Sequence, residues 1–133
     1  MSNYTRLNLD RLAAQHAQNI INATGASKAK DIDNTITKAL GVLQENGVYA
    51  CFLYLLAKEK ENSPVVVREM LKLLDELNFG WDKPANDSAD EVLQYIIDKV
   101  TVDLERVLLA KELLEQMLIY ARYGAKAQLG EAS

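Results

Sequence analysis

A chain of 133 residues, 49% apolar and 26% charged, is long enough to bury a core and too apolar to stay disordered. Its one cysteine, Cys51, excludes an internal disulfide, and a net charge of -4 argues against a free-standing nucleic-acid binder. With no exported-type apolar leader, and with the longest apolar-rich run, Val48 to Ala57, well short of the roughly 20 residues of a membrane span, the expectation is a cytoplasmic protein without membrane contact.

Two prolines and six glycines favour a few long elements over many short ones. The first segment carries Leu9, Leu12, Ala13, His16 and Ile20 in steps of three and four, the spacing of one helix face, and ends near Gly25. The second carries Ile32, Ile36, Ala39, Leu40 and Leu43 and stops at Asn46-Gly47. A third helix starts directly after that glycine, with Val48, Cys51, Phe52, Leu55 and Leu56 as its stripe and Lys58-Glu59-Lys60 at its end. Tyr49, Leu53 and Tyr54 lie off the stripe, so this helix reads as central or as buried against a partner.

Ser63-Pro64 predicts the start of a fourth helix, with serine as the cap and proline in the first turn. Its stripe is Val67, Met70, Leu71, Leu74 and Leu77, and Gly80 closes it. Residues 80–87 read as a loop, and Ser88 with Glu91 fits a capping box opening a fifth helix with Val92, Tyr95, Ile96 and Val100. Thr101 reads as a break or a new cap. The last helix is expected from about Val102 to about Gln128. It has two stripes, one through Leu104, Val107, Leu108, Leu114, Leu118 and Ala121, the other through Leu109, Leu113, Met117 and Tyr120. No segment alternates as a strand does. The expected fold is all-α: one domain over 1–133, a compact bundle of about six helices with a long C-terminal helix.

Chemistry is sparse. There is no glycine-rich phosphate loop and no Cys/His spacing of the metal type, so no catalytic residue, metal or cofactor is expected. His16, the one histidine, falls on an apolar stripe and reads as a packed or edge residue, since nothing in the sequence nominates a partner for it. Cys51 reads as a small buried hydrophobe. Asp31-Ile-Asp33-Asn34 fails as a calcium loop because the required sixth-position glycine is Ile36.

Charge is unevenly placed: residues 1–60 are net +2, residues 61–115 net -7 and residues 116–133 net +1. A basic surface built from the two chain ends, opposite an acidic middle, is therefore open. Arg122 and Lys126 lie four apart on one helix face with Tyr123 beside them, a pattern that can hold a phosphate backbone and stack a base. The competing reading is a cationic helix C-terminus complementing its dipole.

Two segments resemble a known family. Glu45-Asn-Gly-Val-Tyr-Ala-Cys-Phe-Leu-Tyr-Leu-Leu-Ala-Lys58, an asparagine-glycine turn, an apolar helix and a lysine, is similar to a motif of the small subunit of type III-B CRISPR effector complexes, the Cmr family. Tyr120-Ala-Arg122-Tyr-Gly-Ala-Lys126-Ala127 looks like the same family's C-terminal signature. Length, the all-helical pattern and an arginine-containing first helix agree.

The resemblance implies a non-catalytic subunit that stacks with neighbouring copies of itself beside the backbone subunit carrying the guide RNA. Target RNA pairs with the guide in the groove between the two filaments. On this resemblance Lys58, Arg122 and Lys126 are the candidate RNA-binding residues. Two features depart from it: the negative net charge, and Gly124, where the final helix is expected to loosen or end.

The alternatives are a helical adaptor that binds only protein, and the small subunit of a related type III-A or type I complex. Convergence of Lys58, Arg122 and Lys126 on one face favours RNA contact over the adaptor. Copy number and the oligomeric state of the isolated chain, a monomer among the options, are left open by the sequence.

Overall fold

The computed structural model describes residues 2–58 and 62–132, with side chains for 8–58 and 62–130. Glu59 and Lys60, expected to finish the third helix, lie outside the described residues. Among those described there are six α-helices and no strands, as the sequence predicts: α1 (Ser2–Thr24), α2 (Ala29–Asn46), α3 (Val48–Lys58), α4 (Ser63–Glu76), α5 (Ala89–Tyr95) and α6 (Leu104–Ala132).

Glycine makes two of the sharp joints. Gly25 (φ 75°) and Gly47 (φ 98°) occupy backbone regions that side chains with a Cβ rarely enter, and they separate α1 from α2 and α2 from α3. After α4 the chain turns through Asn78 (φ 59°), Gly80 (φ 78°) and Asp82 (φ 60°), so the helix ends at Glu76, ahead of the glycine that marked its end in the sequence. This loop is pinned to the core. Trp81 is buried and meets Phe79 edge-on at 4.9 Å, Tyr95 donates to the Asp82 carbonyl, and Arg106 donates to the Phe79 carbonyl.

One continuous core runs through the molecule, centred on Ile20, Ile32, Ile36, Leu43, Phe52, Met70, Leu73, Leu114 and Met117. Helix α6 is its spine, packed mainly along α1 and α2, while α4 closes against α1 and α3. The helix does not loosen at Gly124. A Cβ there would lie 3.0 Å from Ile21 Cγ1, so the missing side chain lets α1 and α6 approach closely. The helix-propensity penalty is outweighed by packing.

Three further expectations change. Asn62, not Ser63, holds the cap position of α4, and it makes no capping side-chain bond. Helix α5 is followed by a π-helical turn, Ile96–Val100, before Thr101. Leu104 and Leu108, placed on a buried stripe, are exposed (71% and 52%), while Val107 between them packs against the core. Periodicity locates an apolar stripe but not the length of neighbour available to cover it. Helix α6 instead begins behind Asp103, whose carboxylate accepts from the Arg106 amide.

Candidate nucleic-acid interface

Arg122 and Lys126 do converge, and what they converge on is a carboxylate. On α6 their four-residue spacing puts both on the edge facing α2. There Arg122 Nε lies 3.6 Å from Asp33 Oδ1, and Lys126 Nζ lies 3.6 Å from Asp33 Oδ2. Both cations are nearly half exposed, so they hold Asp33 while keeping part of each head in water. Arg122 Nε makes no hydrogen bond, so this is a loose electrostatic cluster and not a bidentate clamp. Tyr123 beside them is 64% exposed, leaving one ring open for stacking. The stretch rejected as a calcium loop is the first half of α2, and its Asp33 is the counter-ion of this patch.

Lys58 stands elsewhere. It ends α3, with Nζ 5.3 Å from the centroid of the Tyr54 ring one turn earlier, a cation–π contact. Around it lies a groove of about 330 Å³ to which α2 contributes Asp31, Asn34, Thr35 and Lys38. On an α-helix those residues point roughly 100–160° away from Asp33. Helix α2 therefore lies between Lys58 on one side and Arg122 and Lys126 on the other, and the three basic residues do not share one face.

His16 has partners the sequence did not nominate. It is 3% exposed, with Nδ1 2.8 Å from Glu69 Oε1 and Nε2 2.6 Å from Glu76 Oε2, two carboxylates seven apart on α4. Asn19 and Lys72 also donate to Glu69. Burial pushes the Glu69 carboxyl up, but the hydrogen bonds from His16 and Asn19 and the charge of Lys72 outweigh it and hold the group below its ordinary range. Carboxylate oxygens only accept, so the two contacts require a proton on each ring nitrogen or on one carboxyl. The cluster clasps α1 to α4. With Glu69 only 6% exposed, it offers little access to a substrate.

The other reactive groups are also occupied by the fold. Cys51 is fully buried, its thiol pushed up to about 12 by burial, and Sγ–H donates to the Ala39 carbonyl. Tyr120 donates to Asp10, tying α6 back to α1, and this bond raises the phenol above its ordinary range. Among the described residues no three His, Cys, Asp or Glu gather as a metal site would need, and no helix is long and apolar enough to cross a membrane. No protein family, curated protein or solved structure matches the chain.

Proposed function

We propose that the chain is a non-catalytic small subunit of a type III-B CRISPR effector complex, working in the cytoplasm and contacting target RNA alongside the guide-RNA backbone. One observation carries this reading: the order of two motifs on one all-α chain. An Asn46-Gly47 turn leads straight into apolar α3 ending at Lys58, and Tyr120–Ala127 rides on the long α6. The half-exposed heads of Arg122 and Lys126 and the open Tyr123 ring suit contact with a phosphate strand. Partners on this reading are the backbone subunit, neighbouring copies of the chain, and guide and target RNA.

The test is purification of the native chain with its partners from its host. Recovery with a ferredoxin-like backbone subunit and a short RNA supports the reading, and recovery with protein but no RNA removes it. Alone, the chain is expected to bind RNA weakly and without sequence preference, because its net charge is -4, only a few basic residues are candidates for phosphate contact, and each neutralised phosphate adds only a salt-dependent increment. Tight, sequence-specific binding by the isolated chain at physiological salt contradicts that expectation.

A protein-binding adaptor is the second reading, and a specific feature favours it. Ile97, Val102, Leu104 and Leu108, between the π-helical turn and the start of α6, are exposed apolar side chains, while Asp33 offsets part of the charge of Arg122 and Lys126. The same purification separates the two.

A further inference from the structure

The groove beside Lys58 has features that the pairing of Arg122 and Lys126 does not explain. It lies where the first half of α2, the end of α3 and the start of α4 meet. Lys38 and Lys58 contribute two ammonium groups, and neither is paired with a carboxylate among the described residues. Asn62 and Ser63 contribute the N-terminus of a 14-residue helix. That terminus is left open: the Asn62 side chain makes no capping bond, and no acidic residue occupies the first turn. The first amides of a helix have no partner inside it, so they and the helix dipole present uncompensated positive charge at this end of the groove.

A second observation concerns a side chain and not the backbone amides. Ser63, on the groove wall, is 1% exposed, and its Oγ has no hydrogen-bond partner. An unpaired buried hydroxyl is costly, and natural proteins rarely leave one without a reason. Here it sits at a helix start that no side chain caps. At α5, by contrast, Ser88 accepts from the Glu91 amide and Asp90 and Glu91 supply the first-turn acids. Among the described residues Asp31 is the one acid on the groove wall, and it belongs to the first turn of α2, where it complements that helix's own amides. Of the described groups, a cation in the groove would meet two lysines and a positive helix end against one carboxylate. An anion meets the reverse.

We propose that this groove is a binding site for a phosphate group, mono- or diester. Lys38 and Lys58 supply charge, the open amides of α4 and the Ser63 hydroxyl supply hydrogen bonds, and Tyr54 forms a wall beside the ester substituent. The site does not rest on the chain's being an effector subunit, since a chain that binds no such complex can still hold phosphate here.

The test is amide NMR of the full chain at constant ionic strength, titrated in separate arms with inorganic phosphate, uridine 5′-monophosphate and a short oligouridylate. Saturable shifts at the Ser63 and Val65 amides are expected in at least one arm. Lys38→Gln and Lys58→Gln should each weaken binding about two- to fivefold, the scale of one exposed ion pair. Ser63→Ala should weaken it without lowering the melting temperature. Saturation by phosphate and nucleotide alone assigns a small phosphorylated ligand. Saturation by the oligouridylate, reduced in Lys38→Gln but not in Arg122→Gln, assigns a nucleic-acid backbone. Shifts that stay linear, or that persist unchanged in the Lys38→Gln/Lys58→Gln double variant, overturn the site. The lysine variants touch no core residue, so they still decide whether the site exists if Ser63→Ala misfolds.

Discussion

The two flanks of α2 carry similar numbers of positive charges and treat them in opposite ways. Towards α6, Asp33 holds both Arg122 and Lys126, just as elsewhere in the fold His16 is held by Glu69 and Glu76, and Tyr120 by Asp10. Towards α3 and α4, Lys38 has no acidic partner among the described residues, Lys58 rests on an aromatic face, and the first amides of α4 go uncapped. Charges satisfied within the chain stabilise the bundle. Charges left facing a groove add little to stability and remain free to meet a ligand. The same residue type thus has different meaning on the two flanks, and mutation distinguishes them.

The largest effect is expected at the buried clasp. His16→Ala leaves Glu69 buried with only Asn19 and Lys72 as partners and should cost about 3 kcal/mol, the low end for removing one member of a buried ion pair. Glu76→Gln, changing a half-exposed partner of the same imidazole, should cost less than about 1 kcal/mol. Urea denaturation of both variants measures the gap, and equal losses would mean that burial of Glu69 is not what gives the clasp its weight. Acid should release the same contact. Because the folded Glu69 carboxyl lies below its ordinary value of 4.5, its contribution is complete above that value and is lost as pH falls past it and through the lower folded value. In Glu69→Gln this part of the acid-induced loss should vanish.

Next in size is the seam that brings α1 against α6. Gly124→Leu drives a side chain into the space held by Ile21 and should destabilise by about 1–3 kcal/mol in thermal melts, despite leucine's better helix propensity. A rise in melting temperature would mean the two helices separate easily.

A smaller loss belongs to the capped helix start. Ser88→Ala should cost about 1 kcal/mol because the Glu91 amide loses its acceptor, whereas Ser63→Ala should leave stability level or slightly raised. If the two serines respond alike in chemical denaturation, the contrast between a closed and an open helix end is wrong.

The smallest effect on stability sharpens the RNA reading most. Asp33→Asn removes the counter-ion of Arg122 and Lys126 at a cost of no more than about 1 kcal/mol, the range of partly exposed pairs. If those residues hold RNA, the freed cations should raise the assembled complex's RNA affinity and steepen its salt dependence, and Arg122→Glu with Lys126→Glu should lower both. A complex whose RNA affinity and salt slope ignore all three changes does not use this face for RNA.

Helix existence, order and joints are legible in the sequence because their causes are local: three-and-four spacing of apolar residues, Gly25 and Gly47 at left-handed turns, and Ser88 two residues before Asp90 and three before Glu91. Half of the expected capping box is present. Ser88 caps Glu91, but its own amide goes to the Asn86 side chain, a competition between neighbours that spacing does not resolve. Gly124 misleads because helix propensity describes an isolated helix, whereas here a second helix lies against it.

What the sequence determined by itself was the all-α character, the approximate helix bounds and the buried status of Cys51, since hydrophobic period and turn chemistry act within a few residues; that His16 is packed and not at an edge came from the fold. Only the tertiary structure decided which charges are already matched. Glu69 stands 53 positions from His16, and Asp10 stands 110 from Tyr120. Asp33 reaches Arg122 only because α6 lies along α2, so a basic pair that reads as free in the sequence carries its own counter-ion in the fold. Pairing energy falls off over a few ångströms, and packing alone sets which distant residues come that close.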